Sequence, residues 1–547
     1  MKVSLSWLKE LVDFKLSAKE LTDKLSLSSI GVKEQTESYL ELDLTYNRGD
    51  LLSLRGIASE ISAITNSDLK FQDQTLPKHD LPNTPVRLED ENLSTVQCVA
   101  KIEGLKVEKS PEEWVQKLND CGIRTVNNIA DVTNLTMLEY GQPLHSFDAD
   151  TVADNLIEVR LAKDGEELKT LDNKLRKLTP EDIVLADTQK PLDVAGIMGG
   201  KDTEVKESTT AILLSASMFN PTMVRKTSKR LGLSSEASKR FEHGLTSTNL
   251  LQAFYTAIKM YKSLGGKLTA ITLTGNLTDE VKTIKLTQQK VNSLIGVDIS
   301  AEQVESSLTA LGFKLASHLT SRNVVWDVTV PYWRLDIQIE EDLIEEAARM
   351  YGYEKIPTKE LKGEVPLKLD QSFPKFIYDL KVSLTNAGLT EVQTYSFYSS
   401  QIIKNLKLKT ENLVRIANPI SSETEILRDQ LWPNLLEVVA KNLRQGYKDI
   451  AIFEIGKVYS PQKSDLPKEK YHLSIALCNN SDNPIQELNQ LIKGFSNFDL
   501  SKDGVLTKKE YFHPTRQTDW IAEIHPRFVN KFGIDQRMAF LEIEILS

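Results

Sequence analysis

Apolar residues near the start of the chain recur at helical spacing. Trp7, Leu8, Leu11 and Phe14 fall on one face of an amphipathic helix. Polar residues interrupt these apolar positions and no small-residue cleavage site follows, so we do not expect a secretory signal here. A capping box, Ser17 to Glu20, precedes the next apolar run and predicts the start of a second helix.

Further along, the spacing of apolar residues changes several times. It alternates as in a strand over 39–50 and turns helical over 54–64, 246–266 and 376–384. The last helix leads into alternating strands, and an interval at 462–470, rich in Lys, Asp and Pro, predicts an exposed hairpin or loop. Strands and helices are thus mixed without a regular βαβ order. We predict an α+β, multidomain protein.

Composition shifts divide the chain into four expected parts. An N-terminal region of helices and strands ends in a proline-bearing linker (1–84), and a mixed strand-and-helix domain follows (85–245). A small α/β domain (246–357) and a C-terminal domain dominated by antiparallel strands (358–547) complete the chain. A length of 547 residues is enough for three or four domains of ordinary size.

The overall composition excludes several classes of protein. Hydrophobic residues make up 40% and charged residues 26%, as in globular proteins, and no apolar run approaches the ~20 residues that cross a bilayer. Cys98, Cys121 and Cys478 are widely separated, which argues against a disulfide framework or a cysteine zinc site and favours the cytoplasm. The net charge of −10 means that any contact with nucleic acid is local or shared with another chain.

Two motifs carry candidate functional residues. In TNLTMLEYGQPLHSFD, Thr133 and Asn134 supply a hydroxyl and an amide, and His145 supplies an imidazole that can titrate near neutrality. In DVAGIMGGKDTEV, the glycines, Gly196 among them, permit close approach of a ligand. The alternatives are a turn-rich domain edge with a hydrogen-bonded histidine, and a strand that ends in a tight turn. One histidine without a neighbouring Ser or Cys nucleophile does not indicate covalent catalysis.

A basic segment, VRKTSKRLGLSSEASKRFEHG, stands out in this acidic chain. Only two glutamates oppose its six cations, so it is the best candidate for a surface that faces phosphates. The alternative is an ordinary solvated helix face. The cations are Arg225, Lys226, Lys229, Arg230, Lys239 and Arg240.

An acidic helix is predicted from residue 339 onward. Asp342, Glu345 and Glu346 fall at i, i+3 and i+4, where like charges repel, and Asp336 lies just before the helix. A bound cation would relieve this repulsion, and four hard oxygen ligands suit Mg²⁺ better than zinc. The alternative is an acidic face that lies in water or pairs with arginines of a partner.

Read in order, these segments resemble the β subunit of bacterial phenylalanyl-tRNA synthetases. The similarity extends from MKVSLSWLKELVDF and LELDLTYNRGDLLSLRGIASEI, through the motifs above, to LRDQLWPNLLEVVAKN and IAIFEIGKVYS. It implies an α2β2 heterotetramer in which the α subunit activates phenylalanine with ATP and charges tRNA(Phe). It further implies that 370–547 has a class II synthetase-like fold without catalysis, and that the four carboxylates hold a Mg²⁺ shared with α.

The resemblance also identifies 85–245 as an editing domain, which hydrolyses tyrosine wrongly attached to tRNA(Phe). It implies that Thr133, Asn134, His145, Ala195 and Gly196 line the pocket and that water is the nucleophile. In ILLSASMFNP, Ser215 stands where the family usually has a glutamate that accepts the tyrosine phenol. We therefore expect editing to be weakened or water-bridged.

Two further departures concern tRNA binding. The chain passes from Val32 to Tyr39 without room for the OB-type tRNA-binding domain that relatives insert there. It stops at LEIEILS, where relatives continue into a ferredoxin-like anticodon-binding domain. We expect a shortened form that relies on α and on the basic segment. The alternatives are a free-standing hydrolase of mischarged tRNA and a non-catalytic scaffold whose pocket has decayed.

Overall fold

A computed structural model describes most of the chain. The described residues are 1–28, 30–320, 323–360, 362–363, 370–463, 465–493, 511–512 and 520–545. They form two compact units, Met1–Glu360 and Leu361–Ser547. Short 3-10 helices lie between the longer elements at Gly49–Leu52, Ala149–Thr151, Ala153–Asn155, Lys201–Thr203, Tyr353–Lys355, Thr410–Asn412, Ser422–Thr424 and Asn530–Phe532.

Unit 1 begins with a three-stranded sheet covered by helices. Its elements are β1 (Lys2–Ser4), α1 (Leu5–Leu11), α2 (Ala18–Leu27), β2 (Gly31–Gln35), β3 (Tyr39–Asp43) and α3 (Leu54–Thr65). The predicted capping box is confirmed, because the Ser17 hydroxyl accepts from the Glu20 N–H and the Glu20 carboxylate accepts from the Ser17 N–H. The first helix ends before Phe14, which is nevertheless buried. Residues 36–38 alone connect β2 to β3.

Three layers follow in unit 1. Helices α5 and α8 cover one face of a four-stranded sheet, and a five-stranded sheet covers the other. The sheet orders are β14-β5-β13-β6 and β12-β11-β10-β7-β4. The elements are β4 (Val86–Leu88), β5 (Ser94–Glu103), α4 (Glu112–Asp120), α5 (Asn128–Tyr140), β6 (Leu144–Asp148), β7 (Ile157–Leu161), β8 (Glu167–Lys169), β9 (Leu175–Lys177), β10 (Ile183–Ala186), β11 (Pro191–Val194), β12 (Met198–Gly199), β13 (Ala211–Phe219), α6 (Pro221–Leu231), α7 (Glu236–Glu242), α8 (Ser247–Ser263) and β14 (Lys267–Gly275).

Alternation along the strands explains this layering. On β13, Leu213 and Ser215 face the five-stranded sheet, while Ile212 and Leu214 pack against the helices. The helix predicted over 246–266 is confirmed as α8. The chain leaves it through Gly265, whose φ of +89° favours a residue without a Cβ.

The last part of unit 1 is a three-stranded sheet with three helices. Trp326 and Val328 of its central strand pack with Leu343 and Ile344 of the last helix. The sheet order is β15-β17-β16. The elements are β15 (Thr283–Thr287), α9 (Gln288–Ile295), α10 (Ala301–Ala310), β16 (Lys314–Thr320), β17 (Asn323–Thr329) and α11 (Glu340–Tyr351).

Unit 2 is built on one large, mostly antiparallel sheet in the order β18-β21-β22-β25-β24-β23, with apolar clusters on both faces. The helix predicted over 376–384 is confirmed, because it lies within α12. The hairpin predicted over 462–470 is formed by β21 and β22, although residues 468–470 already belong to β22 and residue 464 lies outside the described residues. The elements are α12 (Ser372–Asn386), β18 (Thr390–Glu391), β19 (Phe397–Tyr398), α13 (Ser400–Leu406), β20 (Ile426–Leu427), α14 (Trp432–Arg444), β21 (Ile450–Ser460), β22 (Lys468–Cys478), α15 (Pro484–Lys493), β23 (Tyr511–Phe512), β24 (Trp520–Ile524), α16 (Pro526–Val529) and β25 (Met538–Ile545).

The α+β, multidomain class predicted for the chain is confirmed. The three cysteines are buried and free, and burial raises the pKa of each thiol. Within the described ranges, no helix has the length and apolar character needed to cross a membrane.

Candidate active site

A cavity of about 470 Å³ lies at one end of the space between the four-stranded and five-stranded sheets. Strands β6 and β13 supply one wall, β11 and β12 the opposite wall, and helix α5 the rim. Five predicted site residues are in its lining, namely Thr133, Asn134, His145, Gly196 and Ser215. Ala195 is buried beside the cavity, and its N–H donates to the Ile183 carbonyl at 3.0 Å.

Helix α5 places Thr133 and Asn134 at the rim. Asn127 caps the start of this helix, because its side-chain oxygen accepts from the N–H groups of Ile129 and Ala130. The Thr133 hydroxyl donates to the Ala130 carbonyl at 2.7 Å, which holds the side chain against its own helix. Both rim side chains are half-buried, so a ligand in the cavity can reach their polar atoms.

His145 is the imidazole of the inner wall. It lies directly opposite Ser215 in the β6–β13 ladder, so the two side chains share a face. Its ring meets Phe147 edge-on at 4.4 Å, and its Nε2 has no hydrogen-bond partner within the described part of the chain. Burial lowers the pKa of His145 to about 4, so the imidazole is neutral near pH 7.

Gly199 leaves room for this imidazole. A Cβ at Gly199 would lie 2.5 Å from His145 Cε1 and 2.9 Å from Nε2, far closer than van der Waals contact. Gly196 has a φ of +71°, and a Cβ there would lie 2.8 Å from the Phe241 ring. The glycines of the predicted loop are therefore required by close packing around the cavity.

Ser215 belongs to a short polar chain that sequence reasoning missed. Gln97 donates from Nε2 to the Ser215 hydroxyl at 2.8 Å and accepts at Oε1 from Ser217 at 2.5 Å. All three side chains are buried. Gln97 is more than one hundred residues from both serines, and only the β5–β13 pairing brings them together.

Asp193 is a second residue that sequence reasoning missed. This residue is 6% exposed and lines the cavity from β11. No described residue hydrogen-bonds to its Oδ1, and burial raises the pKa of the carboxyl to about 8. The one available signal was an acid in the otherwise apolar run PLDVAGI, just before the glycine loop.

A larger cavity, of about 570 Å³, lies elsewhere in unit 1. Its charged and polar groups face one another: Arg55 bonds to Glu139 and Tyr140, and Tyr332 donates to Asp73. Arg55 Nη1 has no hydrogen-bond partner among the described residues but lies 3.7 Å from the Asp73 carboxylate. The smaller cavity instead presents two deeply buried polar groups without partners. We therefore regard the smaller cavity as the candidate active site.

The basic segment divides into exposed and engaged cations. Arg225, Lys226 and Lys229 are exposed on α6, with Arg225 over the Tyr46 ring. Arg230 pairs with Asp182, and Lys239 pairs with Glu236. Arg240 differs from the prediction, because it is 1% exposed and is bound to Glu236 and to the Leu52 carbonyl. Burial leaves Arg240 no access to a phosphate in this structure.

The four predicted metal ligands are not brought together. Asp336 and Glu346 both bind the Arg334 guanidinium, at 2.8 and 2.6 Å. The Asp342 carboxylate accepts from the N–H groups of Gln338 and Ile339 and thereby caps α11, and Glu345 is exposed. Within the described ranges, no group of three His, Cys, Asp or Glu side chains could hold a metal ion.

Arginines relieve the repulsion between these carboxylates. Arg349 bridges Glu346 and Glu60, at 2.6 and 2.8 Å, and so ties α11 to α3. Burial alone would raise the pKa of Glu346, but hydrogen bonds from Arg349 and Arg334 outweigh it and hold the pKa well below its usual range. Together these contacts form a buried ion-pair chain of Asp336, Arg334, Glu346, Arg349, Glu60, Arg48 and Asp50.

Comparison with family models accounts for most of the chain. Residues 95–266 match the B3/4 domain, 284–353 the tRNA synthetase B5 domain, and 356–545 the phenylalanyl tRNA synthetase beta chain CLM domain. Among solved structures, an N-terminal fragment of the phenylalanyl-tRNA synthetase beta subunit from Pyrococcus horikoshii aligns with 17% identity and a TM-score of 0.35. It covers 64% of this chain and 99% of that fragment.

Several relatives that align with most of the chain are named phenylalanine–tRNA ligase beta subunit. The relative from Carboxydothermus hydrogenoformans is 37% identical over 80% of this chain and 55% of its own length. Those from Geobacter metallireducens and Protochlamydia amoebophila are each 32% identical, over 94% and 96% of this chain and 68% and 69% of their own. The chain thus spans between about half and two thirds of these relatives, and it belongs to the family of phenylalanine–tRNA ligase beta subunits.

Proposed function

We propose that this chain is the β subunit of a phenylalanine–tRNA ligase and that the cavity between its sheets removes tyrosine from mischarged tRNA(Phe). The observation that carries the proposal is the buried, neutral His145 imidazole beside Thr133, Asn134 and the glycine loop. A cavity of this size suits an aminoacyl group. Such a site is needed because a hydrophobic synthetic pocket rejects an isostere with one added hydroxyl only about 10²-fold.

Water is the nucleophile in this proposal. Ser215 is bound to Gln97, and no described hydroxyl bonds to His145 Nε2, so a serine–histidine pair is not formed. His145 Nε2 is free to accept a hydrogen bond from water and hold it against the ester. Attack on the ester carbonyl forms the acid C–O bond and breaks the bond to the ribose oxygen, which takes the proton. The products are tyrosine and tRNA(Phe).

We assign charging to a partner α subunit, in an α2β2 complex that uses ATP in the cytoplasm. The names of the relatives support a subunit role. Large apolar side chains exposed on unit 2, such as Tyr395 at 86% and Ile420 at 99%, are consistent with a surface that packs against another chain. The test is co-expression with α: we expect a stable complex that charges tRNA(Phe), and no charging by this chain alone.

The carboxylates present do not fit a magnesium ion held by this chain alone. Asp336 and Glu346 are neutralised by arginines, and Asp342 caps a helix. A Mg²⁺ shared with α stays a prediction, for which the exposed Glu345 is the residue free to meet another chain.

Reversal of the exposed charges on α6 should weaken tRNA binding. We expect Lys226→Glu with Lys229→Glu to raise the KM for tyrosyl-tRNA(Phe) hydrolysis about tenfold at low salt, with little change in kcat, because two phosphate contacts are lost. Lys314→Glu, an exposed lysine of β16, is the control. If the α6 double variant and the Lys314→Glu control raised the KM equally, the basic segment would not be part of the tRNA interface.

The two alternative functions predict different results for the chain alone and for its complex with α. A free-standing hydrolase would act on mischarged tRNA at full rate without α. A scaffold with a decayed pocket would support charging by α but would leave tyrosyl-tRNA(Phe) intact. The unpartnered polar groups of the cavity favour an active site over a decayed one.

A further inference from the structure

Asp193 is an acid without a partner inside the cavity. The other acids in the cavity lining are engaged: Glu204 with Lys201, and Glu236 with Lys239 and Arg240. Of the serines on β6 and β13, Ser215 and Ser217 are bound to Gln97 and Ser146 to Tyr261. Among the described lining residues, Asp193 is therefore the one carboxyl left to meet a ligand. A buried, unsatisfied carboxyl destabilises the fold, so its presence calls for a functional explanation.

Strand pairing shows where this carboxyl points. Asp193 on β11 lies opposite Gly199 on β12, and directly paired residues project from the same face of a sheet. On that face a Cβ of Gly199 would be 2.9 Å from His145 Nε2. The Asp193 carboxyl and the His145 imidazole thus border the same space, and both lack partners there.

The residues around Asp193 and His145 indicate what kind of ligand group fits between them. Leu185, Ile197, Phe219 and Phe241 provide apolar and aromatic lining nearby, which suits an aromatic side chain. Burial raises the pKa of Asp193 to about 8, so near pH 7 it is mostly a neutral acid next to a neutral imidazole. Neutral groups of this kind exchange hydrogen bonds with a hydroxyl, which can both donate and accept.

We propose that Asp193 determines the specificity of the cavity by binding the phenolic hydroxyl of the amino-acid side chain. The inference rests on the proposed hydrolytic function and adds to it the group that distinguishes tyrosine from phenylalanine. Loss of a hydrogen bond to a buried polar group is an effective basis for rejection of the analogue that lacks the hydroxyl.

The test compares two esters in the complex of this chain with α. Hydrolysis of tyrosyl-tRNA(Phe) and of phenylalanyl-tRNA(Phe) is measured for the wild type, Asp193→Leu and Asp193→Asn. We expect Asp193→Leu to slow tyrosyl ester hydrolysis about tenfold or more, and to leave the slower phenylalanyl ester reaction within about twofold. Asp193→Asn, which has the same shape and can still hydrogen-bond, should retain most of the rate.

Each result that would contradict this role of Asp193 points to a different explanation. If Asp193→Leu slowed hydrolysis of both esters equally, Asp193 would shape the site or bind the α-amino group. If it slowed neither, Asp193 would take no part in substrate recognition. The melting temperature separates a structural role, because Asp193→Leu removes an unsatisfied carboxyl and should not lower it. A large drop would contradict the proposal.

A further experiment distinguishes failure of the proposed hydrolytic function from failure of the role of Asp193. If the wild-type complex hydrolyses neither ester, binding of free L-tyrosine and L-phenylalanine, measured by calorimetry, still tests Asp193. The inference then requires that wild type bind tyrosine more tightly and that Asp193→Leu abolish the difference. Equal binding of the two amino acids by wild type would overturn it.

Discussion

Arg349→Leu should lower the free energy of unfolding of unit 1 by about 3 kcal/mol, the lower end of what loss of one partner from a buried ion pair costs. Arg349 is 3% exposed and bridges Glu60 and Glu346, so the variant leaves each carboxylate with one arginine instead of two. The measurement is urea unfolding followed by tryptophan fluorescence. The matched control is Arg87→Leu, whose exposed pair with Glu158 should change stability by less than about 1 kcal/mol. Similar shifts for the two variants would contradict a stabilising ion-pair chain.

The same chain predicts a pH dependence. The folded-state pKa of Glu346 is lowered, so its ion pairs stabilise the fold above the unfolded-state pKa of about 4.3. That stability is lost as the pH falls through the lowered folded-state pKa. We expect the urea midpoint of the wild type to fall steadily below about pH 5, and Arg349→Leu to show a shallower fall. Parallel pH profiles would exclude Glu346 as a main contributor.

Gly199→Ala should reduce hydrolysis of tyrosyl-tRNA(Phe) by about 10²-fold, comparable to the effect of a 1 Å misplacement in an active site. The added methyl overlaps the His145 ring and must displace it. Gly363→Ala is the control, because no described atom lies within 4 Å of a methyl there. Rates are measured with the α-bound complex and preformed mischarged tRNA.

A double-mutant comparison assigns this loss to His145. If the methyl acts only by moving the imidazole, then Gly199→Ala combined with His145→Ala should be no slower than His145→Ala alone. Additive losses would show that the methyl blocks the substrate directly, and an undiminished rate in Gly199→Ala would place the chemistry elsewhere.

The sequence correctly predicted those elements that depend only on interactions between residues close together in the chain. The Ser17–Glu20 capping box and helix α8 required only neighbours within one turn. In the candidate site, the same reasoning singled out His145 and the glycine loop. It missed Gln97, because only the β5–β13 register brings it to Ser215.

Charge patterns were harder to interpret. The acidic residues at α11 predict a cation site shared with another chain, and this stays a prediction. The sequence did not show that Arg334 and Arg349 bind two of these carboxylates, Asp336 and Glu346. Arg240 looked like a phosphate contact, yet its guanidinium donates to the Leu52 carbonyl, 188 residues away. Sequence spacing shows which charges share a helix face, but their partners depend on tertiary packing.

The rate at which the purified complex with α hydrolyses preformed tyrosyl-tRNA(Phe) tests most directly whether the cavity between the sheets is a proofreading site. In a single-turnover experiment without ATP or free amino acid, we expect the mischarged tRNA to disappear at least tenfold faster than in buffer, and His145→Ala to remove most of that acceleration. An ester that decays no faster with the complex than without it would contradict the account.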